Sequence, residues 1–214
     1  MRIESIEKAR KGAKYSVSFD DGTAILLSRE VIIDFGLRKN DELSRETVTS
    51  ITEAQLYRDA YYAAGRLLDY RMRTRSELDQ RLLKKGYPEK VVQKVIGKMS
   101  ELGLIDDSRF ADAFIASKIA ARPIGKRELE RGLREKGISK EAAQIAVLQV
   151  SDDDTQLELA IKAAKTKMRS LRRFEPRKRQ EKLVAFLARR GFDWEVIRKA
   201  VRKIFNGDVD AIDL

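Results

Sequence analysis

The sequence predicts a mainly α-helical protein: three tandem three-helix repeats forming an elongated curved body, with a small N-terminal β-hairpin extension. Three observations lead there. Apolar residues alternate with a period of two near the start and take a helical period from about Thr52 onward. Only 3 prolines and 12 glycines interrupt the 214 residues, so long helices meet few breaks. A segment with two leucines four residues apart, closed by a glycine, recurs three times at a period of about fifty residues.

Residues 1-50 are expected to hold the hairpin and a short helix. Lys14–Phe19 alternates Tyr15, Val17 and Phe19 with polar residues, the pattern of a half-buried strand. Asp21-Gly22 is a tight-turn signal, after which Thr23–Ser28 resumes as a strand, and Ile3–Lys8 is a candidate third. Ser28 is placed to cap a short helix with Val31, Ile32 and Phe35 on one side, ending at Gly36. The acidic pair Asp20-Asp21 reads as turn chemistry rather than metal ligation.

Repeats are expected over 51-104, 105-151 and 152-206, followed by a C-terminal tail over 207-214. Ala60, Ala64, Leu67 and Leu68 open an apolar face that continues through Leu78, Leu82, Val91, Val95, Met99 and Leu102. Thr74, Asp106, Ser139, Asp153 and Asp193 each stand just before an apolar-periodic stretch, as N-caps do. The aligned segments read RSELDQRLLKKGY, KRELERGLREKGI and QEKLVAFLARRGF. In them Leu78 and Leu82, Leu129 and Leu133, and Leu183 and Leu187 anchor a middle helix, and Gly86, Gly137 and Gly191 close it with a left-handed turn. Units of this kind bury their apolar faces by stacking.

Composition narrows the chemistry. With no cysteine and no histidine, a Cys/His zinc site, a Ser–His–Asp triad and a Cys–His pair are all excluded. Carboxylate-only metal chemistry and lysine nucleophiles survive that test. Asp106-Asp107 and Asp152-Asp153-Asp154 are the acidic clusters to weigh, and both fall at helix starts, where aspartate caps orphan amides. No enzyme, cofactor or metal is expected. No apolar run approaches a membrane span and the start lacks a signal-peptide pattern, so no membrane contact and a cytoplasmic location are expected.

The net charge of +11, with a sequence pI near 9.8, favours polyanions, nucleic acid ahead of acidic protein surfaces. Candidate contacts in the first repeat are Arg71, Arg73, Arg75, Lys84 and Lys85; in the second they are Arg122, Lys126, Arg127, Arg131 and Arg134. Acidic residues interleave there, so a solvated face held by i,i+4 pairs is an equal reading. The third repeat is denser: Arg169, Arg172, Arg173, Arg177, Lys178, Arg179 and Lys182 face only Glu175 and Glu181, with Arg189 and Arg190 beyond. Phosphate or acidic-surface binding is the stronger reading at that cluster. Tyr57, Tyr61 and Tyr62 could stack on bases, but their spacing suits helix packing equally well; Phe110, Phe114, Phe174, Phe186, Trp194 and Phe205 read as core.

At RMRTRSELDQRLLKKGY, VVQKVIGKMSELGLIDDSRFADAFIASK and RPIGKRELERGLREKGI the chain resembles the RecX family. The resemblance spans roughly residues 55 to 205 and is looser in the third repeat, which has three extra residues. It implies three tandem three-helix repeats in a cytoplasmic monomer that binds RecA protein and the RecA–DNA filament. Such a protein mostly inhibits RecA ATPase, strand exchange and co-protease activity in recombination, repair and the SOS response, and it could touch single- or double-stranded DNA directly. The alternative is a generic DNA-binding regulator of helix-turn-helix type, since short helices joined through glycine turns imitate that motif.

Overall fold

A computed structural model describes residues 1–10 and 12–205; the C-terminal tail expected over 207–214 lies outside the described residues. Ile3–Lys8 (β1), Lys14–Phe19 (β2) and Ala24–Ser28 (β3) form one antiparallel sheet in the order β1-β2-β3, so the expected hairpin gains its third strand. Val17 lies opposite Ile6 on one side and Ile25 on the other. The alternation seen in the sequence sends Ile3, Val17, Phe19 and Leu27 inward, where Val31, Leu37 and Ile51 close a small core. In the turn, the Asp21 carboxylate accepts from the Thr23 amide at 2.9 Å and its hydroxyl at 2.6 Å. The Asp20 carboxylate accepts from the Arg2 amide at 2.9 Å. Both acids serve the turn and the sheet edge.

Ser28 caps the short helix Arg29–Asp34 (α1), its hydroxyl accepting from the Val31 amide. Ser44 then caps Arg45–Tyr70 (α2), a helix of 26 residues that begins earlier than the periodicity suggests. The sequence hides this start because Thr47, Val48, Thr49 and Thr52 are β-branched and poor helix formers. Their polarity is absorbed within the helix: Thr49, Ser50 and Thr52 hydroxyls donate to the carbonyls of Arg45, Glu46 and Val48. The early turns of α2 supply Ile51 to the sheet core, while Ala60, Ala63 and Ala64 enter the core of the first repeat.

That repeat continues with Arg75–Lys84 (α3) and Glu89–Glu101 (α4). The second comprises Asp107–Ala121 (α5), Lys126–Glu135 (α6) and Lys140–Val150 (α7); the third comprises Asp153–Leu171 (α8), Pro176–Arg189 (α9) and Trp194–Phe205 (α10). Each repeat has its own apolar cluster. All six paired leucines of the middle helices, Leu78, Leu82, Leu129, Leu133, Leu183 and Leu187, are 0% exposed. Burial of each contributes about 2 kcal/mol.

Each middle helix ends in the same turn. The amides of Gly86, Gly137 and Gly191 donate to the carbonyls of Leu83, Arg134 and Ala188, and the next amides, of Tyr87, Ile138 and Phe192, donate to Leu82, Leu133 and Leu187. This double closure needs a left-handed residue, and the three glycines have φ of 88, 82 and 81°. The residue after each glycine is then turned inward. Of the expected caps, Ser139, Asp106 and Thr74 hold the first turns of their helices, accepting from Ala142, Arg109 and Glu77 respectively. At α8 the cap is Asp152 rather than Asp153, the carboxylate accepting from the Thr155 amide at 2.7 Å.

The chain divides into two compact units, Met1–Met72 with Leu78–Ile105, and Arg73–Glu77 with Asp106 onward. No helix of the described residues is long and apolar enough to cross a membrane.

Candidate functional site: a basic corner in the third repeat

The cations named from the sequence fall into three structural situations. In the second repeat most are tied to carboxylates. Lys126 reaches Asp153 at 2.9 Å, Arg127 reaches Asp193 at 2.7 Å, and Arg131 holds Glu128 at 2.7 Å. Arg122 lies 3.7 Å from the same Glu128, and Arg134 is exposed. The Lys126 and Arg127 pairs join the start of α6 to α8 and to the α9–α10 turn and so hold repeats two and three together, while the Glu128 pairs stay within the second repeat. Lys126 in turn holds the Asp153 carboxyl below its ordinary value, by hydrogen bond and then by charge.

The first repeat is mixed. Arg73 is buried at 6% exposure, whereas Arg71, Arg75, Lys84 and Lys85 are exposed. The Arg75 amide donates to the Asp107 carboxylate at 2.8 Å, which places one member of the acidic pair in a structural bond. The other member, Asp106, is held below the ordinary carboxyl range first by the Ser108 hydroxyl and then by the Arg109 amide. Both candidate acidic clusters therefore act at helix starts, and among the described residues no group of three or more His, Cys, Asp or Glu side chains could hold a metal ion.

The third repeat gathers its cations at one corner, where α8 ends and α9 begins. Arg169, Arg172, Arg173, Arg177 and Lys178 are all exposed there. Glu181, 3.6 Å from Arg177, is the one carboxylate paired with these five among the described residues. Arg179 turns back instead, donating to the Phe174 carbonyl at 3.0 Å and bracing the turn. Phe174, expected as core, is also a seat for charge: Arg173 lies 5.1 Å and Lys182 4.7 Å from its ring centroid. Phe186 plays the same part for Lys167 and Arg190, at 5.5 and 5.0 Å. The signal for the first of these seats was present in the run Arg172-Arg173-Phe174, an aromatic directly preceded by two cations. Arg189 is exposed on the far end of α9.

Local electrostatics make the corner unusual. The first turn of α9 carries Pro176, Arg177, Lys178 and Arg179 with no acidic residue and no side-chain cap bond, while α2 through α8 each have an acid in the first turn. Cations at the positive end of a helix oppose its dipole at about 0.3–1 kcal/mol each. Charge held against that gradient marks a place suited to an anion, since an incoming phosphate or carboxylate is attracted by side chains and helix end together. Tyr57, Tyr61 and Tyr62 remain on α2, the first two partly packed against the first-repeat core and Tyr62 exposed.

Comparison with known proteins fits this architecture repeat by repeat. Residues 60–99, 106–147 and 154–201 match the first, second and third three-helix domains of RecX. A regulatory protein RecX of Clostridioides difficile is 24% identical over 202 residues, covering 94% of each chain. One of Chlorobium limicola is 35% identical over 142 residues, 66% of this chain and 87% of that one. Among solved structures, a crystal structure of regulatory protein RecX superposes with a TM-score of 0.76 at 28% identity, covering 96% of this chain and 98% of the other. RecX from Lactobacillus salivarius gives 0.68 at 25% identity, over 72% of this chain and 99% of that one. Three successive domain matches in the family's own order, with the fold to correspond, place the chain in the RecX family of regulatory proteins.

Proposed function

We propose that this protein regulates homologous recombination and DNA repair by binding RecA and its DNA filament, and that it lowers RecA ATPase, strand exchange and co-protease activity. It acts without chemistry of its own, as a cytoplasmic monomer. The observation that supports this beyond family membership is the α8–α9 corner, where Arg169, Arg172, Arg173, Arg177 and Lys178 stand exposed against a single paired carboxylate. A filament of protein wound on DNA offers such a corner both phosphates and acidic side chains. Lys182, Arg189 and Arg190 flank the contact, and Arg179 shapes it. The exposed Arg71, Arg75, Lys84, Lys85, Arg122 and Arg134 are further candidate contacts, each within its own repeat. Arg127, Arg131 and Lys126 join only by exchanging their present partners, and Arg73 only by emerging from burial. The repeats serving this role are those expected over 51-104, 105-151 and 152-206, behind the segment 1-50.

The test is RecA-driven ATP hydrolysis on single-stranded DNA, titrated with the purified chain. Hydrolysis is expected to slow at substoichiometric amounts. The variant Arg172→Glu/Arg173→Glu/Arg177→Glu/Lys178→Glu is expected to need far more protein for the same effect. No slowing at any ratio would refute the regulator reading, and equal potency of the variant would clear the corner of its part.

A further inference from the structure

The glycine turns do more than end helices. Two of the three receive the first turn of an earlier middle helix. The Thr74 hydroxyl donates to the carbonyl of Lys136, the residue before Gly137, at 2.6 Å, and Ser76 sits so close that a Cβ on Gly137 would overlap it. Lys136 completes the contact by reaching the Glu77 carboxylate at 3.1 Å. The turn at Gly191 is used in the same way by the start of α6. The Gly125 amide donates to the Arg190 carbonyl at 2.8 Å and the Arg127 amide to the Gly191 carbonyl at 3.1 Å, while a Cβ on Gly191 would overlap the Glu128 backbone. In both cases the docked turn carries glutamate as its third helical residue, Glu77 in α3 and Glu128 in α6.

The turn at Gly86 has the same backbone, with φ of 88° and the same pair of closing hydrogen bonds, and nothing among the described residues comes within 4 Å of its Cβ position. Lys85 occupies the place of Lys136, exposed and without an ion pair among the described residues. Leu83 beside it is 40% exposed, where the other turns carry Arg134 and Ala188. A left-handed turn, a lysine placed as the one that grips Glu77, and an exposed leucine together repeat the socket with its docking side open.

We infer that the Lys84–Tyr87 turn is a docking socket for the first turn of a helix on a partner protein, a helix with an acidic side chain at its third position. A second copy of this chain is a poor occupant. Among the described residues the middle helix whose start meets no glycine turn is α9, which starts a full turn earlier with Pro176-Arg177-Lys178-Arg179 and places Lys182 where Glu77 and Glu128 stand. Lys182 would meet Lys84 and Lys85 with like charge. The start of α9 is thus mismatched to the Gly86 turn. This inference rests on the geometry of the turn and not on the α8–α9 corner, and it shares Lys84 and Lys85 with the regulator reading.

The experiment uses the full chain, labelled with nitrogen-15, and a helix-stapled peptide with the sequence Thr74–Lys84 as probe. Titration is expected to shift the amides of Lys84 to Tyr87. The peptide with Glu77→Lys, or the Lys85→Glu protein, is expected to bind about fivefold more weakly or not at all. The Lys85→Glu protein with the Glu77→Lys peptide restores opposite charge and is expected to recover binding. Shifts confined to Gly137, no shift at Gly86, or equal affinity for both peptides would overturn the proposal. The Arg172→Glu/Arg173→Glu/Arg177→Glu/Lys178→Glu protein should bind the peptide undiminished, and loss of binding there would also overturn it.

Discussion

The hydroxyl of Thr74 donates to the carbonyl oxygen of Lys136 at 2.6 Å while accepting the Glu77 amide at 3.1 Å. One fully buried oxygen therefore both caps α3 and fastens it to a turn 62 residues away. Thr74→Val keeps the shape and removes both bonds, leaving a buried carbonyl and an amide unsatisfied. We expect a loss of about 1–3 kcal/mol, with Thr74→Ser close to the parent, read from denaturant midpoints. A valine variant as stable as the parent would mean that water replaces the hydroxyl without loss.

Gly191 and Gly86 separate conformational strain from close packing. Alanine at either must adopt a left-handed backbone, at about 1–2 kcal/mol. Only at Gly191 does the added methyl meet the Glu128 backbone. Gly191→Ala is therefore expected to be the more destabilising in thermal melts, and equal losses would show that the α6 start yields without penalty.

The recurring turn was legible because its causes are local. A leucine spacing, a glycine and the residue after it define the helix end within a dozen residues. What the cations do was not legible, because their partners lie far off in the chain: Asp153 for Lys126, Asp193 for Arg127 and Glu77 for Lys136. Charge density told paired from unpaired only in the third repeat, where carboxylates are too few to go round. The start of α2 stayed hidden for a different reason, since its threonines satisfy their hydroxyls on the helix's own carbonyls.

Acid should weaken the fold through its capping aspartates. Asp106 and Asp152 are held below the ordinary value of 3.8, chiefly by the hydroxyls of Ser108 and Thr155. A depressed folded-state pKa contributes stability that is present above the unfolded value and disappears as pH falls through the folded one. Asp106→Asn and Asp152→Asn should thus melt below the parent at neutral pH, with the gap narrowing below about pH 4. A gap independent of pH would mean that the charges contribute nothing at these caps.

Salt will report the corner. If Arg172, Arg173, Arg177 and Lys178 each neutralise one phosphate of single-stranded DNA, reversing all four to glutamate should lower the slope of log affinity against log salt by roughly 2–3. Fluorescence anisotropy at several salt concentrations measures it. An unchanged slope would move the contact to acidic protein surface.

The length of α2 has a consequence for folding. Its 26 residues run about 39 Å through two cores. Along the way Gln55 accepts from the Ser28 amide at 2.6 Å and Asp59 pairs with Lys14 at 2.6 Å. The sheet and the first repeat thereby share a spine, and neither can lose its order without fraying the other. They should melt in one cooperative transition, with slow hydrogen exchange spreading along the helix from both ends of its buried face. Trimming the chain at Ser44 would then remove a structural brace of the first repeat, and the strands that look like an appendage would prove part of its foundation.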